Sequence, residues 1–516
     1  MTEERFEFRH WRSEMSIKAN WEEAQQVVKK FTGDWGVDQP GGAVIGFDAN
    51  GIRFAEVGGV ESLSTMVQFS ADTVVRYASV TKHAFCAMVL SHPEAISLDD
   101  TLGQHLPELQ EPMASVTVGR ALDMSGGLPD TRECLSLLGL SVYTETNAGP
   151  LMEFLARQTR LNYEAGTEVS YSNTGYRLVE TALERKGLFF RDFIRSVGAK
   201  TDAIFDAPDV WNDAVAGLVP GYWHDGEKWQ LSAAGLHISA SGSMTGSATS
   251  LANWLRSLLC GDAAFTGMLD NLARPRALSH GRESGYGLGL RRTVLGGRTF
   301  TGHGGSHPGY KTYFLLDQES RSGFAVVSNR EDTNGNKIAQ EAMAALRCLP
   351  LPVPSSALTD GLYVSETGPF WAEVKGSTVT WLDADDTVYE DDGEFVSTFS
   401  ASSPMRLKMD GDALVGQIGH PERHLSPAAD AGVPAALSGR WFSDEGAFFE
   451  IDGDLLVMGI GPVRHHMPLR SLGGGRFLFT LKDGPWTKRV CLNLLSENRL
   501  ELVLSRARML EYSRAG

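Results

Sequence analysis

The chain has 516 residues, of which 47 are basic and 64 acidic, giving a formal net charge of −17, and it is 42% apolar and 22% charged. This length exceeds what one hydrophobic core serves, so two or three units are expected. Ordinary apolar content excludes wholesale disorder, and the acidic balance opposes nucleic-acid binding, which needs a clustered basic surface. The N-terminus from Met1 to Glu7 carries both signs of charge and leads into no apolar h-region, and no stretch approaches a membrane span. The five cysteines (Cys86, Cys134, Cys260, Cys348, Cys491) are scattered and lack C-x-x-C pairing, so they read as reduced thiols and the protein as cytoplasmic.

In chain order, Pro40–Phe47 and Ile52–Val57 are strand-like runs joined around Asn50-Gly51, a pair that favours a tight hairpin turn. From about Thr81 to Cys260 the texture becomes helical, broken by Gly, Pro, Ser and Asn, with periodic runs at Gly149–Ala156 and Ser250–Leu255. Strands return at Thr299–Thr301, Thr312–Leu316 and Gly323–Ser328, which predicts one sheet built from both ends of a first unit and flanked by helices. Leu349–Ser356 is proline-spaced and reads as a stiff linker. After it come short alternating runs with Gly and Asp turns, and this half repeats: Gly361–Gly368 is echoed by Gly439–Gly446, and Glu373–Gly376 by Glu450–Gly453. Two small antiparallel barrels, separated by Ser426–Pro434, are expected because closure removes exposed strand edges. The expected boundaries are 1–348, 349–359 for the linker, 360–427 and 437–516.

Three short motifs follow one another along the first unit: Ser79-Val80-Thr81-Lys82, Tyr171-Ser172-Asn173 and His303-Gly304-Gly305. Ser-x-x-Lys alone is weak, since a chain this long holds about one or two by chance. At the head of the apolar stretch Ala84–Leu90, however, the spacing puts hydroxyl and ammonium on one helical face within hydrogen-bond reach. A serine hydroxyl is a poor nucleophile without a base, and Lys82 and Tyr171 can share that role; the sequence leaves open which one takes the proton. Asn173 is placed to hydrogen-bond Lys82 or a substrate amide. The expected oxyanion hole is the Ser79 N–H with a second N–H near Ser306, and Gly304 and Gly305 let substrate approach the backbone closely. His303 either delivers a proton to the leaving group or shapes the cleft.

These motifs resemble those of the penicillin-recognising serine hydrolases, which include class C β-lactamases, D-alanyl-D-alanine carboxypeptidases and related esterases and aminopeptidases. The resemblance spans about Pro40 to Arg347 and includes Ser125-Gly126-Gly127-Leu128 and Tyr286–Leu290. It implies an α/β (α+β) β-lactamase/transpeptidase-like catalytic domain followed by two small antiparallel β-barrel domains. His-Gly-Gly followed by two barrels is similar to the D-stereospecific aminopeptidases, which implies release of N-terminal, D-configured residues from small peptides or amides. Two departures fall near the motifs: Met124–Gly127 lacks the usual preceding His-Thr, and Ser241-Gly242-Ser243-Met244 replaces an Ala-Gly-Gly-like run. An aminopeptidase must recognise a free ammonium, and Asp483, at the turn Lys482–Trp486, is the candidate carboxylate for it.

The competing readings are plainer: Ser79 as a helix N-cap, Tyr171 and Asn173 as turn residues, His303 as structural, and Cys86 as a small buried apolar residue. His420, His424, His465 and His466 lack supporting ligand spacing, so neither a metal nor any other cofactor is expected. An esterase or β-lactamase-like hydrolase and a slowly acylating sensor are the alternative functions. No nucleic-acid or membrane partner is expected, and the sequence is compatible with a homodimer.

Overall fold

The computed structural model describes residues 19–514; the N-terminal residues read for a secretory signal lie outside them. Strands Gly42–Asp48 and Gly51–Gly58 form the expected hairpin, with Asp48 opposite Gly51, so the two connecting residues are Ala49 and Asn50. The first of these strands pairs along its length with Ser322–Ser328, from Gly42 against Ser328 to Asp48 against Ser322. Tyr310–Asp317, Arg298–His307 and Arg291–Leu295 complete a six-stranded antiparallel sheet. The sheet is thus assembled from the two ends of the first unit, and the intervening chain forms the helical layer.

Strand Ser322–Ser328 is buried over its whole length, which is why it reads as a nearly continuous apolar run rather than an alternation. Its side chains divide by the two-residue period of a strand. Val44, Phe324 and Val326 pack with Ala24 and Val28 of helix Trp21–Gly33 and with Ile338 and Ala342 of helix Gly335–Arg347. Ile45, Ala325 and Val327 face the other way, toward Phe85 and Trp254 on helices Thr81–Leu90 and Ala248–Cys260. Helix Trp21–Gly33 was not among the sequence expectations, although Asn20 accepts from the Glu23 amide and Glu22 and Glu23 occupy the first turn, which is an ordinary start signal.

Beyond the linker, eight antiparallel strands from Gly361–Ser365 to Glu422–Pro427 close into a barrel, the first pairing with the last through Tyr363 and Pro427. Nine further strands, from Gly439–Phe442 to Leu510–Arg514, form a second, nearly closed barrel. Its two edge strands, Val463–Pro468 and Arg470–Gly473, are consecutive in the chain. Trp371 and Trp381 are in the core of the first barrel, whereas Trp441, Phe449 and Tyr512 of the second join the core of the helical layer of the first unit. The second barrel therefore shares a hydrophobic interior with the first unit, and Tyr512 donates to the Leu137 carbonyl there at 2.7 Å.

Candidate active site

Ser79 lies on a single 3-10 turn, Ala78–Val80, that runs into helix Thr81–Leu90. The turn is entered through Ala78 at φ 50°, a left-handed conformation that costs a non-glycine residue free energy and directs the following side chain. Lys82, one turn on, points its ammonium back at Ser79 Oγ at 3.3 Å and donates also to Asn173 Oδ1 at 2.8 Å and to the Ser241 carbonyl at 2.7 Å. Lys82 is fully buried. Loss of water lowers its proton affinity, and the neighbouring Tyr171 and Asp130 offset only part of that, so its pKa is below the ordinary lysine value. At Gly289, at φ 67°, any Cβ would come within 2.6 Å of the Lys82 main chain, so only glycine lets that loop cover the helix.

Tyr171 is held in an extended segment where the Ser170 amide donates to the Met124 carbonyl at 3.1 Å. Its Oη is buried and has no hydrogen-bond partner among the described residues. Three cations surround the ring: Lys82 Nζ, Arg291 Cζ and Arg506 Cζ lie 4.9, 5.5 and 4.7 Å from its centroid. Burial pushes the phenol pKa up, but the positive charges of Lys82 and Arg291 outweigh it and leave it below the ordinary tyrosine value. The two groups sit side by side, each with its pKa moved toward the form that can accept a proton.

Asn173 opens helix Thr174–Glu184 and is fixed by Asp130, whose Oδ2 accepts from the Asn173 amide at 2.7 Å and from Nδ2 at 2.8 Å. The other carboxylate oxygen caps helix Thr131–Leu137, accepting from the Arg132 and Glu133 amides. This chain of contacts leaves the Asn173 carbonyl oxygen free to face Lys82. Gly304, Gly305 and Ser306, from strand Arg298–His307, line the cleft beside Ser79. A Cβ on Gly305 would collide with the Tyr77 carbonyl oxygen at 2.0 Å and crowd the Ser79 amide at 3.1 Å, so glycine brings this strand against the Ser79 turn.

His303 is fully buried behind the strand and does not line the cleft. Nδ1 is 2.6 Å from the Gly304 carbonyl, which can only accept, so that nitrogen carries the proton and Nε2 accepts from Tyr286 Oη at 2.7 Å. Burial and the nearby Arg291 and Lys82 hold its pKa well below the ordinary histidine value. Asp483 also lies away from the cleft: its carboxylate accepts from Ser141 Oγ at 2.8 Å and from the Val142 amide at 2.9 Å, tying the second barrel to the first unit.

The cleft is a cavity of about 1000 Å³ bounded by Ser79, Tyr171 and Asn173, by Pro352 and Pro354 of the linker, by Asp385 and Asp386 of the first barrel and by Arg506 of the second. Asp130, Arg291, Arg506 and the Ser241 carbonyl were not picked out by sequence. Asp130 carried a cap signature, followed by Thr131 and Glu133; the others had no local signal. Among the described residues no group of three His, Cys, Asp or Glu side chains is arranged to hold a metal ion, and no helix is long and apolar enough to cross a membrane.

The Beta-lactamase family model matches residues 26–347, and the chain belongs to that family. Among curated relatives, the D-aminopeptidase of Gluconobacter oxydans is 24% identical over 330 residues, 61% of this chain and 59% of the relative. That of Brucella anthropi is 25% identical over 280 residues, 53% of this chain and 52% of the relative, and that of Brucella canis 23% identical over 440 residues, 82% of each. The alignment therefore spans little more than half the length of the first two. Among solved structures, the octameric penicillin-binding protein homologue of Pyrococcus abyssi superposes with a TM-score of 0.54 at 16% identity, covering 96% of this chain and 99% of that one. The D-amino acid amidase of Ochrobactrum anthropi SV3 gives a TM-score of 0.52 at 18% identity, covering 63% and 98%. These structures share the fold.

Proposed function

We propose that the protein is a serine hydrolase that forms an acyl-enzyme on Ser79 and releases N-terminal D-amino acids from small peptides or amides. The observation that carries this reading is the Ser79–Lys82–Tyr171 cluster, its lysine and tyrosine buried and its serine opening onto a cleft beside Gly304–Ser306. As Ser79 Oγ bonds the substrate carbonyl carbon, its proton passes to the Lys82–Tyr171 pair and the carbonyl π electrons move to oxygen, where the Ser79 and Ser306 amides stabilise the charge. Collapse of that intermediate expels the amine, which takes the proton from the pair; water then repeats the sequence and frees the acid. A positioned base contributes about 10²–10⁴ in rate and each oxyanion donor about 3–4 kcal/mol.

Relatives named D-aminopeptidase support the N-terminal specificity. Asp385 and Asp386, the first-barrel carboxylates on the cleft wall, are suited to the substrate ammonium, a role for which the Asp483 carboxylate is already occupied by Ser141 and Val142. The test is steady-state release of p-nitroaniline from D- and L-alanine p-nitroanilides, with a p-nitrophenyl ester alongside, by wild type and Ser79→Ala. Turnover of the D-anilide that disappears with Ser79 is expected. Ester cleavage with neither anilide turned over would move the protein to the esterase reading.

A further inference from the structure

We propose that Arg506, delivered by the second barrel, is a positioning residue of the acyl-transfer site: its guanidinium covers the open face of the Tyr171 ring and keeps the phenol oxygen ready to accept the Ser79 proton. The inference rests on the function proposed above and adds to it a catalytic purpose for the last barrel.

Arg506 lies in the turn that follows strand Arg499–Val503, far from Tyr171 in the chain, yet its Cζ is 4.7 Å from the ring centroid. Its only ionic partner among the described residues is Glu133, at 3.8 Å. The turn is held by its main chain. The Arg506 amide donates to Glu133 Oε2 at 2.7 Å, and its carbonyl accepts from the Asp130 amide at 2.7 Å and Asn162 Nδ2 at 2.8 Å. Replacing the side chain therefore leaves the docking contacts in place.

The cations nearest the Tyr171 ring come from several elements. Lys82 comes from the nucleophile helix, Arg291 from the edge strand, and Arg132 from the helix capped by Asp130; His303, held neutral, lies with its ring 6.2 Å from the phenol ring. Among the carboxylates nearby, Asp130 holds Asn173 and Glu133 holds the Arg506 turn, while Asp383, Asp385, Asp386 and Glu168 line a second cavity shared with Tyr171 and Arg506, where Asp383 accepts from the Arg489 amide, Asp385 from Thr380 Oγ1, and Glu168 pairs with Arg423 and Arg508. A buried hydroxyl without a partner is costly, whereas a phenolate in a ring of cations is favoured by every one of them. In the proposed step the Ser79 O–H bond breaks, Oγ bonds the acyl carbon, and the phenolate takes the proton until the departing amine collects it. Removing one cation about 5 Å away should shift such a group by about one pH unit.

The experiment measures the pre-steady-state burst from p-nitrophenyl acetate against pH, read at the isosbestic wavelength of p-nitrophenol, for the full chain and for Arg506→Gln, Arg506→Lys and Ser79→Ala, with thermal unfolding alongside. Arg506→Gln should move the acid limb of the acylation rate up by about one pH unit, slowing acylation about tenfold near neutrality and restoring it at high pH. Arg506→Lys should keep the limb near that of wild type. An unmoved limb overturns the proposal, whether the rate is unchanged, falls uniformly with a lower unfolding midpoint, or is accompanied by a raised KM for a dipeptide relative to its C-terminal amide; the last would make Arg506 a substrate anchor. A Ser79-dependent burst with an unmoved limb leaves the acyl-enzyme reading standing, whereas no Ser79-dependent burst in wild type overturns both.

Discussion

Asp130 lies outside the cleft lining, yet it decides which way Asn173 presents its amide. By accepting from both Asn173 nitrogens it forces the carbonyl oxygen toward Lys82, so the lysine is held by an acceptor whose own orientation is fixed. Asp130→Asn would set an NH₂ group against those donors. Hydrogen bonds to a charged group are worth about 1.5–3 kcal/mol, so kcat should fall about ten- to a hundredfold while substrate binding is largely kept, as steady-state kinetics would show. Much of this shell was legible in sequence: Ser79 with Lys82 and Tyr171 with Asn173 are close in the chain, and their spacing encodes their geometry. The Ser241–Met244 run stood out in sequence only as a departure from the family pattern; that Ser241 offers its carbonyl to Lys82 was not legible, because any residue supplies a main-chain carbonyl. Arg506 was invisible because only the docking of a distant unit brings it to Tyr171.

At the level of elements, helix Thr174–Glu184 couples two parts of the site. Asn173 begins it, and near its other end the Glu180 carboxyl accepts from the Ala240 amide at 2.9 Å, holding the segment that offers the Ser241 carbonyl to Lys82. Burial, offset only in part by Arg177 and the Ala240 hydrogen bond, pushes the Glu180 pKa up to about 8. Because the folded state holds this proton more tightly than the unfolded chain, the contribution to stability is complete below the ordinary glutamate value and is lost as pH rises through about 8. Glu180→Gln, which keeps an acceptor, should therefore unfold at nearly the wild-type temperature at pH 5 and several degrees above wild type at pH 9 in thermal melts. The helical texture and the returning strands were readable from periodicity. Helix Trp21–Gly33 escaped because its buried stripe, Ala24, Val28 and Thr32, is thin and interrupted by charged and amide residues.

Over the whole molecule, a net charge of −17 coexists with a cleft edged by Arg132, Arg291 and Arg506, so cations are concentrated where the proposed chemistry develops negative charge. The repeat in the C-terminal half foretold two barrels but not their unequal roles: the first walls the cleft, while the second shares the core of the first unit and reaches the tyrosine. Register echoes encode a fold; they carry no information on which surface docks. The turn bearing Asp483 belongs to that docking surface, since its carboxylate satisfies Ser141 Oγ and the Val142 amide. Asp483→Ala should cost about 1–3 kcal/mol in denaturant unfolding and leave kcat and KM for an amino-acid amide unchanged.

The long separation of Ser79 from Arg506 gives maturation of the protein an order in time. During synthesis the helix bearing Lys82 is made long before the turn that covers Tyr171, so, on the role proposed for Arg506, the full acylation rate waits for the last barrel to seat. In refolding from denaturant, acylation competence should accordingly lag behind formation of the central sheet and keep pace with burial of Trp441, which interrupted-refolding assays can separate.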